Sequence, residues 1–238
     1  MLKGVIFDMD GVLIDSHPVH RKAWRMFLES VGKEVSEDDL NFILEGRRRE
    51  DILRHFLGDL PVATLAEYGQ RKDYFFHENF DEIKPIPGVV QFLDALEAAS
   101  IPRGIATSAS SFRTWKTLEL LNLEKKFVIV VTGDDVRSGK PDPAMYIVAS
   151  QRMNFSPIDL LAIEDAPCGV LAAKLAGIRC IGVSSNGRGD ALRKAGAQFV
   201  IPNFLGLRPE ELVQCSTAVN ASKRNPSAAV ESPITRNQ

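Results

Sequence analysis

The sequence lacks three features that would each indicate a particular class of protein. Only three of its 238 residues are cysteine, at positions 168, 180 and 215, which is too few and too scattered for a disulfide framework or a zinc site. No uncharged run approaches the roughly 20 residues that a membrane-spanning helix needs. The 29 basic and 31 acidic residues leave a net charge of -2. We therefore expect neither a nucleic acid nor an anionic membrane as a partner.

The composition is otherwise ordinary for a globular protein. Hydrophobic residues make up 45% of the chain, and the length allows one large domain or two modest ones. The first segment has one lysine, a short apolar run and then acids, which is not the pattern of a signal peptide, so we expect a cytoplasmic protein. Residues 213–238 are rich in Ser, Asn, Ala, Pro and Arg and nearly free of large apolar residues. We predict that this tail is disordered.

Two hydrophobic patterns divide the rest of the chain. Residues 16–82 hold four segments with apolar residues at helical spacing, which predicts a small helical domain. After the turn at Pro85–Gly88, strand-like apolar runs alternate with helix-like segments. Such alternation predicts an α/β domain with a parallel sheet covered by helices on both faces. That domain comprises residues 1–15 and 83–212, and the helical segment is an insertion after its first strand.

Polar side chains follow four of the predicted strands. They are, in chain order, Asp8 with Asp10, the hydroxyl cluster from Thr107 to Ser110, Lys140, and Glu164 with Asp165. In open α/β sheets, ligands bind beyond the carboxyl ends of the strands, so these groups are expected to share one edge. Carboxylates, hydroxyls and one cation around a common point form the combination that a magnesium-dependent phosphoryl-transfer site needs.

Taken one at a time, these residues also have ordinary structural explanations. An Asp-x-Asp after a strand is commonly turn chemistry, and Ser108 and Ser110 can cap the helix that follows them. Asp142 followed by Pro143 is a helix start, although that does not explain the preceding Lys140. Adjacent acids at positions 164 and 165, directly after an apolar run, would repel each other without a nearby cation.

Taken together, the four groups resemble the four motifs of the haloacid dehalogenase superfamily. The motifs are Asp8-Met9-Asp10-Gly11-Val12, Thr107-Ser108, Lys140-Pro141 and Glu164-Asp165. Within the insertion, the segments at 20–24, 44–46 and 49–51 are similar to the β-phosphoglucomutase-like branch. The resemblance spans roughly residues 1–205. It implies a Rossmann-like core, with an all-α helical cap formed by the insertion.

The resemblance also implies catalytic roles for the acids. Asp8 would attack phosphorus and form an aspartyl-phosphate, and Asp10 would act as the general acid and base. The implied cofactor is Mg²⁺, held by Asp8, the backbone carbonyl of Asp10 and Asp165, with Glu164 in or near the metal's shell.

Six further residues are implied to bind substrate. In the core, the phosphoryl oxygens would be held by Ser108, the Ala109 amide and Lys140. In the cap, the rest of the substrate would meet His20, Gly46 and Arg49. For charged side chains in a helical insertion, a solvated surface is the ordinary alternative.

The implied function is a phosphatase acting on a small phosphorylated metabolite such as a sugar phosphate. The alternative is a β-phosphoglucomutase, whose arginine at the place of Arg49 binds the phosphate that is not transferred. Arg47-Arg48 and Ser111-Phe112 depart from the mutase pattern, which argues against its sugar specificity. A third possibility is a non-catalytic protein that binds a phosphometabolite, but the full set of catalytic residues argues against it. A monomer is compatible with the sequence.

Overall fold

A computed structural model describes residues 2–185 and 187–212 of the chain. The tail that we predict to be disordered, residues 213–238, lies outside the described residues. In chain order, the strands are β1 (Gly4–Phe7), β2 (Ile14–Asp15), β3 (Lys84–Pro85), β4 (Arg103–Ala106), β5 (Ile129–Val131), β6 (Leu160–Glu164), β7 (Arg179–Val183) and β8 (Val200–Ile201).

The helices alternate with these strands except in the segment between β2 and β3, which is wholly helical. They are α1 (His17–Ser30), α2 (Glu37–Ile43), α3 (Arg49–Leu57), α4 (Val62–His77), α5 (Val89–Ala98), α6 (Ser111–Leu120), α7 (Ala144–Met153), α8 (Pro167–Leu175) and α9 (Gly189–Ala195). In the described part of the chain, no helix has both the length and the apolar character that a bilayer crossing requires.

The main sheet has six parallel strands in the order β5-β4-β1-β6-β7-β8. Successive side chains of the central strand β1 point to opposite faces. Val5 and Phe7 join the apolar core that packs against α5 and α6, whereas Ile6 joins the core under α7, α8 and α9. Both faces are thus covered, which confirms the predicted Rossmann-like α/β fold.

Helices α1 to α4 form the predicted helical insertion and have an apolar core of their own. Its largest buried side chains are Trp24 and Phe27, whose rings meet edge to face at a centroid distance of 5.9 Å. The insertion leaves and rejoins the sheet through β2 and β3, which pair antiparallel, with Ile14 opposite Pro85. Its two connections therefore run side by side.

Three details differ from the sequence-based expectations. The helical spacing of Leu40, Ile43 and Leu44 predicts a second helix that continues to Gly46. Helix α2 instead ends at Ile43, because the carbonyls of Leu44 and Gly46 accept hydrogen bonds from the core. The same spacing predicts a fourth helix from about Val62 to Phe80. Helix α4 instead ends at His77, where the Asn79 side chain donates to a carbonyl of the last turn. Helix α9 was not anticipated, because it is short and begins at a glycine.

A test of the packing uses two glycines with left-handed backbone. Gly88 has φ +81, and an added Cβ would lie 2.5 Å from backbone atoms of Phe204 and Leu205. We expect Gly88→Ala to lower the free energy of unfolding by about 2–5 kcal/mol, combining backbone strain with overpacking. Gly32 has φ +78 with nothing within 4 Å of an added Cβ, so Gly32→Ala should show only the backbone cost of about 1–2 kcal/mol. Equal losses in urea unfolding would contradict this packing.

Candidate active site

A buried lysine lies at the centre of the site. Lys140 Nζ donates to Asp8 Oδ1 at 2.6 Å, to Glu164 Oε1 at 2.6 Å and to the carbonyl of Ala106 at 3.0 Å. The Tyr146 hydroxyl donates to the same Glu164 oxygen at 2.6 Å. An ammonium group has three protons, so Lys140 uses its full donor capacity within the protein. Any bond from Lys140 to a phosphoryl oxygen requires an exchange of partners.

Three acids around this lysine form a group that can bind a metal ion. One carboxylate oxygen from each of Asp8, Glu164 and Asp165 lies within 4.8 Å of the others. Burial raises the pKa of Asp8, Lys140 opposes that rise, and the other two acids add to it. Burial likewise raises the pKa of Glu164 against the effect of Lys140. The acids thus repel one another even with Lys140 present, and a hard divalent cation with oxygen ligands fits such a group.

Asp165 has two further partners at the edge of this group. His17 Nε2 lies 2.8 Å from Asp165 Oδ2, and Arg188 Nη2 donates to the same oxygen at 3.3 Å. Burial lowers the pKa of His17, but Asp165 outweighs burial and raises it. Arg188 also donates to the carbonyl of Leu44, at 3.2 Å. One guanidinium thus connects an acid of the metal-binding group to the helical insertion.

The Asp10 carboxylate is surrounded by hydrogen-bond donors from Arg113, Ser16 and His20. Arg113 donates to both carboxylate oxygens of Asp10, from Nη1 to Oδ1 at 2.9 Å and from Nη2 to Oδ2 at 2.6 Å. Oδ1 also accepts from the Ser16 hydroxyl at 2.6 Å and lies 3.2 Å from His20 Nε2. Burial raises the pKa of Asp10, but Arg113 and His20 outweigh it and hold the pKa well below its usual range. The side chain is therefore a carboxylate, which suits a base.

His20 is neutral and connects Asp10 to the insertion. Burial, reinforced by the neighbouring Lys72, lowers the pKa of His20 to about 3. Lys72 Nζ lies 3.3 Å from His20 Nδ1. These partners assign the Nε2–H tautomer, which accepts from Lys72 and donates to Asp10. His20 is 9% exposed, so the solvated-surface interpretation is wrong for this residue.

The predicted phosphate-binding donors have partners within the protein. The Ser108 hydroxyl donates to the carbonyl of Gly46 at 2.8 Å, and the Ala109 amide donates to the Thr107 hydroxyl at 3.2 Å. Ser110, rather than Ser108, caps helix α6 by accepting from the amide of the residue three positions later. The hydroxyl of Ser108 therefore has no capping role, and it faces the insertion at the mouth of the site.

A pocket between the sheet edge and the insertion brings most of the predicted residues together. Its lining includes Asp8, Asp10, Ser108, Ala109 and Asp165 from the core and His20, Gly46 and Arg49 from the insertion. The other two predicted residues, Lys140 and Glu164, are buried beneath Asp8.

Sequence reasoning missed several charged residues of this site. Arg113 lies in the first turn of α6, three residues after the hydroxyl cluster ends at Ser110. Its closeness to that cluster is the sequence signal that marks it. Lys72 and Asp73 belong to a long helix, where charged residues usually face solvent, and no sequence signal marks them. His17 is the first residue of α1, two positions after the end of β2, but it lies outside the four motifs.

Comparison with known families agrees with this arrangement. The family model for haloacid dehalogenase-like hydrolases matches residues 5–183. The chain belongs to this family. Because the family's hydrolases use an aspartate nucleophile, the protein is an enzyme of that type.

Three similar proteins illustrate the range of this family. A phosphorylated carbohydrates phosphatase of Thermotoga maritima is 36% identical over 89% of the chain and 97% of its own length. A β-phosphoglucomutase of Bacillus subtilis is 31% identical over 84% of the chain and 89% of its own length. The crystal structure of a β-phosphoglucomutase from Clostridium difficile superposes with a TM-score of 0.83, covering 93% of the chain and all of that structure at 24% identity, which supports the fold.

The buried lysine gives a stability prediction. Lys140→Met leaves Asp8 and Glu164 buried without their cation, and removing one partner of a buried ion pair costs about 3–5 kcal/mol. We expect a loss of this size in urea unfolding at pH 7.5 with EDTA present. The exposed Lys125 provides the control, because Lys125→Met should change stability by less than about 0.5 kcal/mol. A loss below about 1 kcal/mol for Lys140→Met would show that the ion pairs of Lys140 with Asp8 and Glu164 do not stabilise the fold.

Proposed function

We propose that this hydrolase is a Mg²⁺-dependent phosphatase that removes the phosphoryl group from a small hydroxylated metabolite through an aspartyl-phosphate on Asp8. The observation that carries the proposal is the buried Lys140–Asp8 contact beside a group of acids that fits a divalent cation. The similarity to a phosphorylated carbohydrates phosphatase supports a sugar phosphate as the substrate class.

In the first step, Asp8 attacks phosphorus. Oδ1 of Asp8 already accepts a hydrogen bond from Lys140, so Oδ2 forms the new bond to phosphorus. The bond from phosphorus to the ester oxygen breaks, and the leaving oxygen takes up a proton from solvent water. Ser108 and the Ala109 amide line the pocket beside Asp8 and would exchange their present partners for phosphoryl oxygens. Preorganised donors of this kind stabilise charge that develops in the transition state.

The metal would be held by the carboxylates of Asp8 and Asp165 and by the backbone carbonyl of Asp10. When bound, it would neutralise charge on the phosphoryl oxygens. Glu164 Oε1 already accepts from Lys140 and Tyr146. Glu164 therefore acts mainly by holding Lys140 in place.

In the second step, water attacks the phosphoryl group, releases inorganic phosphate and regenerates Asp8. Asp10 is placed to remove a proton from this water. Its Oδ2 accepts one hydrogen bond, from Arg113, and a carboxylate oxygen has two lone pairs, so one remains for the water. Arg113 keeps Asp10 ionised, which favours hydrolysis of the aspartyl-phosphate.

The insertion, residues 16–82, would act as a cap over the discontinuous core of residues 1–15 and 83–212. Two core-to-cap hydrogen bonds end on its loop: Ser108 to the Gly46 carbonyl and Arg188 to the Leu44 carbonyl. Arg48 donates in the other direction, to the carbonyl of Val136 at 3.2 Å. In this position the cap would exclude bulk water, while His20, Gly46 and Arg49 would contact the substrate beyond its phosphate.

A β-phosphoglucomutase is the second candidate. It would use Asp8 in the same way, and the pocket contains His20 and Arg49 as the mutase resemblance requires. The similarity to the Bacillus subtilis mutase supports this alternative. A mutase must protect its aspartyl-phosphate from water, whereas a phosphatase must admit water.

The proposed function is tested with a panel of phosphate monoesters and Mg²⁺. Phosphate release from sugar phosphates is the expected result. Asp8→Asn should lower kcat by more than about 10³-fold, the scale seen when a covalent nucleophile is removed. Unchanged circular dichroism would show that the variant is folded. Conversion of β-glucose 1-phosphate to glucose 6-phosphate without phosphate release would instead identify the mutase, and activity in neither assay would favour a binding protein.

Removal of the metal provides a separate prediction. EDTA should abolish phosphate release, and added Mg²⁺ should restore it and raise the thermal midpoint of unfolding, because the ion binds the folded state. Asp165→Asn removes one charge from the metal-binding group and should require at least about tenfold more Mg²⁺ for half-maximal activity. Full activity in EDTA would exclude the proposed role of the metal.

A further inference from the structure

Arg49 is held in an ion pair inside the pocket. It is the first residue of α3 and lines the pocket. Nη1 of Arg49 donates to Asp73 Oδ2, and Nη2 donates to Glu50 Oε1 at 3.0 Å. The Asp73 side chain is 12% exposed and that of Glu50 is 36% exposed. Asp73 is therefore the better shielded partner and the one whose charge acts more strongly inside the pocket.

A glycine in helix α4 makes room for the Arg49 guanidinium. Gly69 and Asp73 lie one helical turn apart on the same face of α4. A Cβ added at Gly69 would lie 2.6 Å from both Cζ and Nε of Arg49. Glycine is less favourable than alanine in the middle of a helix. Its presence here leaves room for the Arg49 guanidinium to lie against the helix and reach Asp73.

Asp73 remains charged and also serves Lys72. Burial raises the pKa of Asp73, but Lys72 and Arg49 outweigh burial and lower it below its usual range. Lys72 Nζ lies 3.6 Å from Asp73 Oδ1. The cluster of Arg49, Glu50, Lys72 and Asp73 therefore contains two cations and two anions.

The other arginine that the insertion contributes to the pocket lining is also paired. Arg47 Nη2 lies 3.0 Å from Glu45 Oε2. Among the described residues, every basic side chain that the insertion contributes to the pocket lining thus has a carboxylate partner. The wall that faces the far end of a substrate is close to neutral overall.

A neutral wall of this kind suits hydroxyl groups better than a second phosphate. Guanidinium N–H groups and carboxylate oxygens together offer donors and acceptors to hydroxyls. A second phosphate that bound Arg49 would have to share the guanidinium with Asp73 and would lie close to that carboxylate. Like charges that face each other at a binding surface suppress the wrong partner.

We propose that Asp73 is a specificity-determining residue that neutralises Arg49, so that the pocket selects substrates with one phosphate and a neutral hydroxylated remainder over bisphosphates. The inference rests on the proposed function, because it concerns the substrate of the same site. It deepens that function by naming the class of ligand that the cap excludes.

The test measures equilibrium binding, so that it does not depend on turnover. Asp8→Asn protein in Mg²⁺ is titrated calorimetrically with fructose 1-phosphate and with fructose 1,6-bisphosphate. We expect the bisphosphate to bind no more than about threefold tighter than the monophosphate. A ligand with two phosphates, either of which can enter the site, gains about twofold in affinity for this reason alone. Adding Asp73→Asn should tighten bisphosphate binding by at least about tenfold while monophosphate binding changes by less than about threefold.

Matched variants distinguish this role from a general effect of charge. Glu50→Gln removes the more exposed partner of Arg49 and should change bisphosphate binding by less than about threefold. Arg49→Met, added to the Asp73→Asn protein, should abolish the gain. Asp73→Ser removes the same charge with a smaller side chain, so a gain shared with Asp73→Asn is due to the lost charge and not to the new side chain. Thermal unfolding is used to check that each variant is folded.

Two results would overturn the proposal. One is bisphosphate binding at least about tenfold tighter than monophosphate binding while Asp73 is present. The other is the absence of a bisphosphate-selective gain in both Asp73 variants. Phosphatase activity of the unsubstituted protein is measured separately, so a failure of the proposed reaction is distinguishable from a failure of the proposed selectivity.

Discussion

The burial of the Lys140 ammonium group is the constraint on which the site depends. A buried ammonium needs anionic partners, and Asp8 and Glu164 supply them at 2.6 Å each. These two acids come from β1 and β6, which are neighbours in the sheet with Phe7 opposite Ile163. The parallel register is therefore what places both carboxylates within reach of one lysine. A shift of one residue in the pairing of β1 with β6 would turn one of the two carboxylates to the opposite face of the sheet, away from Lys140.

The rest of the pocket is built from compensated charges. Asp10 is paired with Arg113, Asp165 with Arg188, and Asp73 with Arg49. The arginine partners help to hold the pKa values of Asp10 and Asp73 below their usual range, and in each of the three pairs the charge of the arginine is balanced by a carboxylate. Under the proposed function, an incoming phosphate would bind through exchange of partners at Ser108, Ala109 and Lys140 rather than through unpaired cations. Such exchange favours ligands that match the geometry over ligands that only carry charge.

The sequence predicted the sheet and its acidic edge because both follow from local patterns. Alternating apolar runs indicate parallel strands, and the residues after them must share one edge. Arg113 and Asp73 were missed because they lie on helices, where a charged residue that faces a pocket has the same sequence pattern as one that faces water. The end of α2 was missed because tertiary bonds to the Leu44 and Gly46 carbonyls determine it. Residues that act through long-range partners leave little local signal.

The two-stranded antiparallel ribbon formed by β2 and β3 allows the helical insertion to vary independently of the sheet. Its two ends are fixed side by side by the pairing of Asp15 with Lys84, so the chain leaves and re-enters the core at one place. The entropy of closing a loop between fixed ends rises slowly with length, by about 0.6 kcal/mol for each doubling. Residues between the two ribbon strands can therefore be exchanged or lengthened while the register of the six strands is kept. New substrate preferences can arise in this way on an unchanged catalytic edge.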